Sequence, residues 1–339
     1  MSSFCIRPAV DSDLRHLYEM AKLTGGGFTN LPPDRRSLTA KLARSHDAFA
    51  READGGIRDE LFVLMLEDRA TGEVRGTCQI FTHVGQKHPF YSYRIGTLTQ
   101  HSRELDRTFR AEMLSLTTDL EGASEVGGLF LHPGERAGGL GLLLARSRYL
   151  FMRANRTRFA DRVLAELRGV IDEAGGSPFW DGLAGRFFGM NFQEADQFNA
   201  IHGHQFIADL MPKHPIYTAM LTETARAAIG LPHPSGRAAM RMLENEGFAF
   251  EHYIDIFDGG PTMTARTDQV RTIRDARESV IVGIDALPGR EALVAAGRLA
   301  DFRCALAEIR DADGGVILSE ETARTLDLTV GDTALHIDR

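Results

Sequence analysis

Gly127-Gly128-Leu129-Phe130-Leu131-His132-Pro133-Gly134-Glu135-Arg136-Ala137-Gly138-Gly139-Leu140-Gly141 runs an apolar strand into a glycine-rich turn, and Leu140-Gly141-Leu142-Leu143-Leu144-Ala145 opens a helix from it. Arg136, Gly139 and Gly141 form an Arg-x-x-Gly-x-Gly pattern, with Gly138 beside it. Glycines let a backbone approach an anion closely, and the free N–H groups and positive dipole end of a helix start attract it. The stretch therefore reads as a cradle for a pyrophosphate. Two commoner phosphate loops fail on composition. No Gly-Lys-Ser or Gly-Lys-Thr closes the turn, and Leu144 stands where a dinucleotide fingerprint needs its third glycine. On the loop alone, a glycine-rich connection without a ligand stays open as a reading.

At 339 residues the chain has room for two domains, or for one core with an appendage. Its 43% hydrophobic and 25% charged residues are those of an ordinary globular protein. A net charge of −8 without a basic cluster speaks against nucleic acid as a partner and leaves small-molecule chemistry. No apolar run approaches the length of a membrane-spanning helix, and Met1-Ser2-Ser3-Phe4-Cys5-Ile6-Arg7 lacks the regions of a secretion signal, so no membrane partner is expected. Cys5, Cys78 and Cys304 are odd in number, widely spaced and without Cys-x-x-Cys spacing, which suggests neither disulfides nor zinc. A reducing cytoplasm is the expected location.

Along the chain, Phe4–Ala9 reads as a strand, Asp11-Ser12-Asp13-Leu14 opens a helix with Leu14, Leu17, Tyr18 and Met20 at helical spacing, and a second helix is expected from about Arg35 to Ser45. Between them lies a turn-rich segment at 24–33. The runs 61–68 and 74–81 flank a Thr-Gly turn, a hairpin pattern. A strand at 162–169 follows the glycine loop, and Ser177-Pro178-Phe179-Trp180 starts a helix ending near Gly189. Helix, then Gly-x-x-Phe or Gly-Phe, then strand recurs downstream through Pro234-Ser235-Gly236-Arg237, Gly247-Phe248 and Tyr253–Phe257, which suggests an internal doubling. From about Ser279 the pattern changes to short strands with glycine-rich turns.

An Arg-x-x-Gly-x-Gly turn entering a helix resembles the coenzyme A loop of the coenzyme A-dependent N-acyltransferase superfamily, and the order of elements fits that core. Longer phrases narrow the match. Phe90-Tyr91-Ser92-Tyr93-Arg94-Ile95-Gly96-Thr97, Ser177-Pro178-Phe179-Trp180, Leu210-Met211-Pro212-Lys213-His214-Pro215-Ile216-Tyr217 and Tyr253-Ile254-Asp255-Ile256-Phe257-Asp258-Gly259-Gly260-Pro261-Thr262 together resemble the arginine N-succinyltransferase family, over nearly the whole chain. The resemblance implies an α/β fold of α+β type: a GNAT-like mixed, largely antiparallel sheet flanked by helices, with a small C-terminal β-rich element. The corresponding divisions are a core at 1–200, a second half at 201–278 carrying the catalytic histidine, and the β element at 279–339.

It also implies transfer of succinyl from succinyl-CoA to the α-amine of L-arginine, with no metal, by a homo-oligomer or a hetero-oligomer with a paralogous subunit. The alternatives are ornithine or another amine as acceptor, or a non-catalytic subunit. Leu129, in Glu125-x-x-x-Leu129-Phe130-Leu131, matches the family position that contacts succinyl-CoA, and His233, in Leu231-Pro232-His233-Pro234, matches its proton donor. The chain departs from the family where Val126-Gly127-Gly128 replaces Leu-Cys-Thr and where Leu231-Pro232 replaces Gln-Val.

An amine attacking a thioester needs a stabilised oxyanion and a proton for the leaving thiolate, and histidine titrates in the right range for the proton step. Read alone, a histidine between two prolines is a surface imidazole on a rigid loop; the resemblance gives His233 its role. A guanidinium calls for carboxylates, for which Glu125 and Asp172-Glu173 are candidates, and the succinyl carboxylate calls for a cation, for which Arg94 is the choice. The plain readings of the same residues are solvated loop ends and a structural ion pair. His202-Gly203-His204 lacks a third ligand nearby, Lys213-His214 sits in a proline-flanked turn, and no Gly-x-Ser-x-Gly elbow is present.

Overall fold

The computed structural model describes residues 3–24, 30–52, 56–136, 138–202, 205–286 and 288–339. Its strands are β1 (Phe4–Pro8), β2 (Leu61–Asp68), β3 (Glu73–Phe81), β4 (Ser92–Ser102), β5 (Arg107–Thr117), β6 (Ser124–Leu131), β7 (Arg162–Glu166), β8 (Ile216–Tyr217), β9 (Ala249–Asp255), β10 (Pro261–Arg266), β11 (Arg277–Asp285), β12 (Arg290–Ala296), β13 (Arg303–Ala312), β14 (Gly315–Ser319) and β15 (Thr333–Asp338). They join in a single 15-stranded sheet. Its middle runs β1-β2-β3-β6-β7-β10-β9-β4-β5-β8.

Period-two alternation explains why β2 reads as one continuous apolar run. Phe62, Leu64 and Leu66 face one core with Leu143, Leu144 and Phe151 of α3 (Leu140–Ala154), after α1 (Leu14–Lys22) and α2 (Arg35–Ala50) have supplied Leu17, Met20, Leu38 and Leu42 to a second core with Leu61, Val63 and Met65. Helices on both faces of a central strand leave no polar side for it. Every pairing in this middle section is antiparallel except β6 with β7, which are parallel and meet only at Ser124↔Val163 and Glu125↔Leu164. Beyond Glu125 the two strands part, and the site lies at that opening.

The sheet corrects the expected doubling. The segment 201–278 supplies β8, β9 and β10, and β10 pairs directly with β7, so the second half completes the first half's sheet instead of repeating it. The phrase Phe90–Thr97 opens a hairpin of two 11-residue strands, β4 and β5, which the sequence reading left unassigned and which edges onto β9. The helix expected from Ser177 is broken into Pro178–Gly182 and Gly185–Phe188, with the Ser177 hydroxyl accepting the Trp180 N–H at 3.2 Å. Trp180, Phe179 and Phe257 build a separate core under β4 and β9.

The C-terminal element begins at Arg277. Its strands close as β12-β15-β11-β14-β13, with β13 pairing back to β12, and β13 also extends the main sheet through β1 at Cys5↔Ala305 and Ile6↔Cys304. Alternation again splits its faces: Val294, Ala305 and Ile309 fill the barrel, while Leu293, Phe302 and Cys304 enter the core under α3. Arg146 of α3 fastens the join, donating to the Asp338 carbonyl at 2.9 Å and pairing with Glu246 at 3.1 Å. Cys5, Cys78 and Cys304 are buried and unpaired, and burial pushes the Cys5 and Cys78 thiols up to about 11. Among the described residues no helix is long and apolar enough to cross a membrane.

Candidate functional site

The opening between β6 and β7 begins with an irregularity. β3 and β6 pair as Gly76↔Leu131 and Thr77↔Phe130, then as Gln79↔Gly127, so Gly128 and Leu129 together stand against Cys78 alone. This is a β-bulge, which leaves an extra residue outside the ladder and re-aims the strand. Gly128 has φ +57°, and a Cβ there would meet the Gln79 side chain. The carry-over residue Leu129 sits in the bulge, its side chain against the main core and its backbone at the parting of the strands.

β6 then leads into the loop. His132 caps the short turn Pro133–Glu135, and Gly138 (φ +73°) and Gly139 (φ +87°) bring the chain into α3. No side chain caps that helix start, so its first N–H groups are left for an anion, with Gly141 in the first turn. Arg136 is exposed on the rim, and Arg339 lies over Gly139, with Nη2 3.5 Å from the Gly138 carbonyl oxygen. These features suit the pyrophosphate of a coenzyme A thioester.

Beside the bulge is a run of ionisable groups inside the protein. Glu125, 6% exposed, accepts from Asn30 Nδ2 at 3.3 Å. Lys41 donates to Gln79 Oε1 at 2.8 Å and to the Asn30 carbonyl. Burial pushes the Glu125 carboxyl up to about 7 and the Lys41 ammonium down to about 7. Glu166, at the end of β7, is raised well above the ordinary range by burial, then by Asp255, Glu125 and Asp258. Asp258 is raised to about 7 by burial and Asp255, although it accepts from Gly169 N–H at 2.7 Å and Gly260 N–H at 2.8 Å.

Those two hydrogen bonds explain the Tyr253–Thr262 phrase. It is the β9–β10 turn, and through Asp258 it braces Gly169 just past β7. The same place holds His233: its N–H donates to the Arg168 carbonyl at 2.7 Å, and Pro232 bridges Gly169. His233 Nδ1 accepts from Ser235 N–H at 3.2 Å and lies 2.7 Å from Ser235 Oγ. In a neutral ring this puts the hydrogen on Nε2. Burial, then the Arg168 charge, lowers the His233 pKa.

Two expected substrate residues have partners of their own within the protein. Asp172 accepts from Ala174 and Gly176 N–H at 2.9 and 2.8 Å, so it closes its own turn. A short carboxylate three residues ahead of a Gly-Gly pair satisfies the local backbone first. Arg94 is 60% exposed, 3.6 Å from Asp119 and 5.7 Å from the centre of the Tyr253 ring. It forms the surface ion pair that is the commoner fate of such a residue. Glu125, by contrast, is no solvated loop end. Sequence reasoning missed Glu166, Asp255, Lys41, Gln79 and Asn30; the available signal was an acid ending or interrupting an apolar strand, as in Val163-Leu164-Ala165-Glu166 and Ile254-Asp255-Ile256. Gly203 and His204 of the His202-Gly203-His204 reading, and the 25–29 part of the turn-rich segment, lie outside the described residues.

Comparisons with known proteins agree along the chain. Residues 4–272 match the family model "Arginine N-succinyltransferase beta subunit", and residues 277–338 match its C-terminal domain. Proteins named arginine N-succinyltransferase from Salmonella paratyphi B and Salmonella newport are 43% identical over 329 residues, covering 96% of this chain and 95% of theirs. The solved structure of arginine/ornithine succinyltransferase subunit AI from Pseudomonas aeruginosa superposes with a TM-score of 0.91 at 34% identity, covering 99% of this chain and 98% of that one.

Proposed function

The chain belongs to the arginine N-succinyltransferase family and is an acyl-CoA-dependent N-acyltransferase, and on that premise we propose that it transfers succinyl from succinyl-CoA to the α-amine of L-arginine. The observation that carries the reading is the bulge at Gly128–Leu129 where parallel β6 and β7 part, set between an uncapped helix start and a histidine beside a run of buried acids.

In this reading Arg136, Gly138, Gly139 and Gly141 hold the pyrophosphate, and the thioester arm enters the gap in place of missing ladder partners. The backbone N–H at Leu129 is the donor for the thioester oxygen as charge develops on it. The neutral α-amine attacks the carbonyl carbon, a C–N bond forms, and the C–S bond breaks. The ammonium formed loses one proton and the leaving thiolate gains one. His233 gives its Nε2 proton to sulfur and takes up the proton that the ammonium loses, so the ring ends the step neutral. Glu125 belongs to the substrate side of the gap. The protein acts in the cytoplasm, as a homo-oligomer or with a paralogous subunit.

Thiol release by the purified chain from succinyl-CoA, with L-arginine, L-ornithine or no amine, tests the reading. Arginine-dependent release with N-succinylarginine as product is expected. Release with ornithine alone would move the acceptor, and silence until a second subunit is added would make the chain an accessory one.

A further inference from the structure

We propose that Glu125, Glu166, Thr262, Asp255 and Ser92, on one face of β6, β7, β10, β9 and β4, form the subsite that holds the guanidinium end of the amine substrate, with Glu166 and Asp255 determining specificity. This rests on the arginine-acceptor reading above.

Register places the five residues together. Thr262 is directly opposite Glu166, and Ser92 directly opposite Asp255. Opposed residues project from the same face of a sheet, as do residues two apart on one strand. Thr262 also opposes Tyr253, which puts Asp255, two residues on, on the Glu166 face. Glu125 pairs with Leu164, two residues before Glu166, and so shares that face as well.

A second observation is independent of the acids. Ser92 is 1% exposed and Thr262 is 0% exposed, and neither hydroxyl has a hydrogen-bond partner among the described residues. A buried hydroxyl without a partner is costly and uncommon, and here two of them stand beside carboxylates. Glu166 is influenced by burial and like charges, with no donor or cation paired to it among the described residues. Asp255 Oδ1 accepts from Phe257 N–H at 2.7 Å and Asp258 N–H at 2.8 Å, which leaves Oδ2 for the subsite. Lys41 acts on the Glu125 end of the row.

The chemistry that would satisfy this row is a flat cation with several donors. A guanidinium presents five N–H groups in one plane, enough for two carboxylates and neighbouring hydroxyl oxygens, whereas an ammonium is a point charge with three. A cation also offsets the burial, and then the like charges, that raise Glu125 and Glu166. The row starts three residues before the bulge, so an amine acceptor can reach the thioester at one end and the acids at the other.

The test uses the full chain with succinyl-CoA and compares L-arginine, L-ornithine and L-citrulline, the neutral isostere of arginine. For Glu166→Gln and Asp255→Asn, KM for L-arginine should rise on the order of 10- to 100-fold with kcat changed far less and KM for succinyl-CoA unchanged. The wild-type preference for arginine over citrulline should shrink in the same variants. Glu166→Gln should melt no lower than wild type, because it removes a repelled charge, so it carries the test if Asp255→Asn loses its turn. An unchanged KM for arginine in folded Glu166→Gln, with wild type active on arginine, overturns the subsite alone. A wild type that acylates other amines and never arginine overturns the activity reading and this inference together.

Discussion

Two turns in this protein are nearly the same object. His132-Pro133-Gly134-Glu135-Arg136 and His233-Pro234-Ser235-Gly236-Arg237 both place a histidine before a proline and an arginine four residues on. Their histidines have φ/ψ of −52°/135° and −50°/144°, and in each Nδ1 accepts the N–H two residues later at 3.2 Å. Each histidine N–H even donates to an arginine carbonyl, that of Arg75 at 2.9 Å and of Arg168 at 2.7 Å. What differs is what surrounds them. The first turn follows the bulged strand and delivers two left-handed glycines to the start of α3, with Glu135 tied to Arg75 at 3.1 Å. The second ends on Gly169, braced by Asp258 next to the acid row, where burial and Arg168 lower the histidine's pKa. One local motif thus leads to an uncapped helix start in one place and stands beside buried acids in the other, and the neighbours make that difference.

The largest effect that would break this contrast is in the two histidines. His233→Ala should lower kcat by about 100- to 10,000-fold while the protein still binds succinyl-CoA, as measured by calorimetry and steady-state rates. His132→Ala should leave kcat within a few-fold; equal losses in both would mean that neither position is special. Next come the paired arginines. Arg136→Ala should raise KM for succinyl-CoA about 10-fold through a lost phosphate contact, and Arg237→Ala should not change it.

Acid burial near the second turn gives a smaller signal. A carboxyl whose folded pKa is raised, such as Glu166, stabilises the fold while protonated and loses that contribution as pH rises above the ordinary carboxylate range. Without substrate, the melting temperature of Glu166→Gln relative to wild type should therefore increase from pH 5 to pH 8 in thermal scans. A constant difference would deny that the folded state raises Glu166. Smallest is the cap itself: His132→Ala should cost about 1 kcal/mol in denaturant unfolding, the usual worth of a side-chain cap.

The elements legible in the sequence are those whose cause is local. The β2–β3 hairpin follows from alternation around a Thr-Gly turn, α1 and α2 from apolar spacing, and the glycine loop from residues that permit positive φ before a helix start. Glu125 and His233 were singled out by their place before the loop strand and by a family phrase, and the structure sets both near the parting of β6 and β7. The ion pair of Arg94 and the self-closed turn of Asp172 were not legible, because in sequence both look like any charged residue near a site. The apparent repeat rested on Gly189-x-x-Phe192 and Gly247-Phe248, and only the second of these leads into a strand, β9; the first leads into a helix at Phe192–His202.

By itself the sequence determined the glycine-rich turn before a helix start and the family, since each depends on residues within a few positions of one another. Only the tertiary structure decided that Glu166, Asp255, Thr262 and Ser92 face one another, and that β6 parts from β7 beside them. The reason is register: the partner across a sheet is fixed by long-range pairing, and shifting one strand by a single residue would turn each of these groups to the other face.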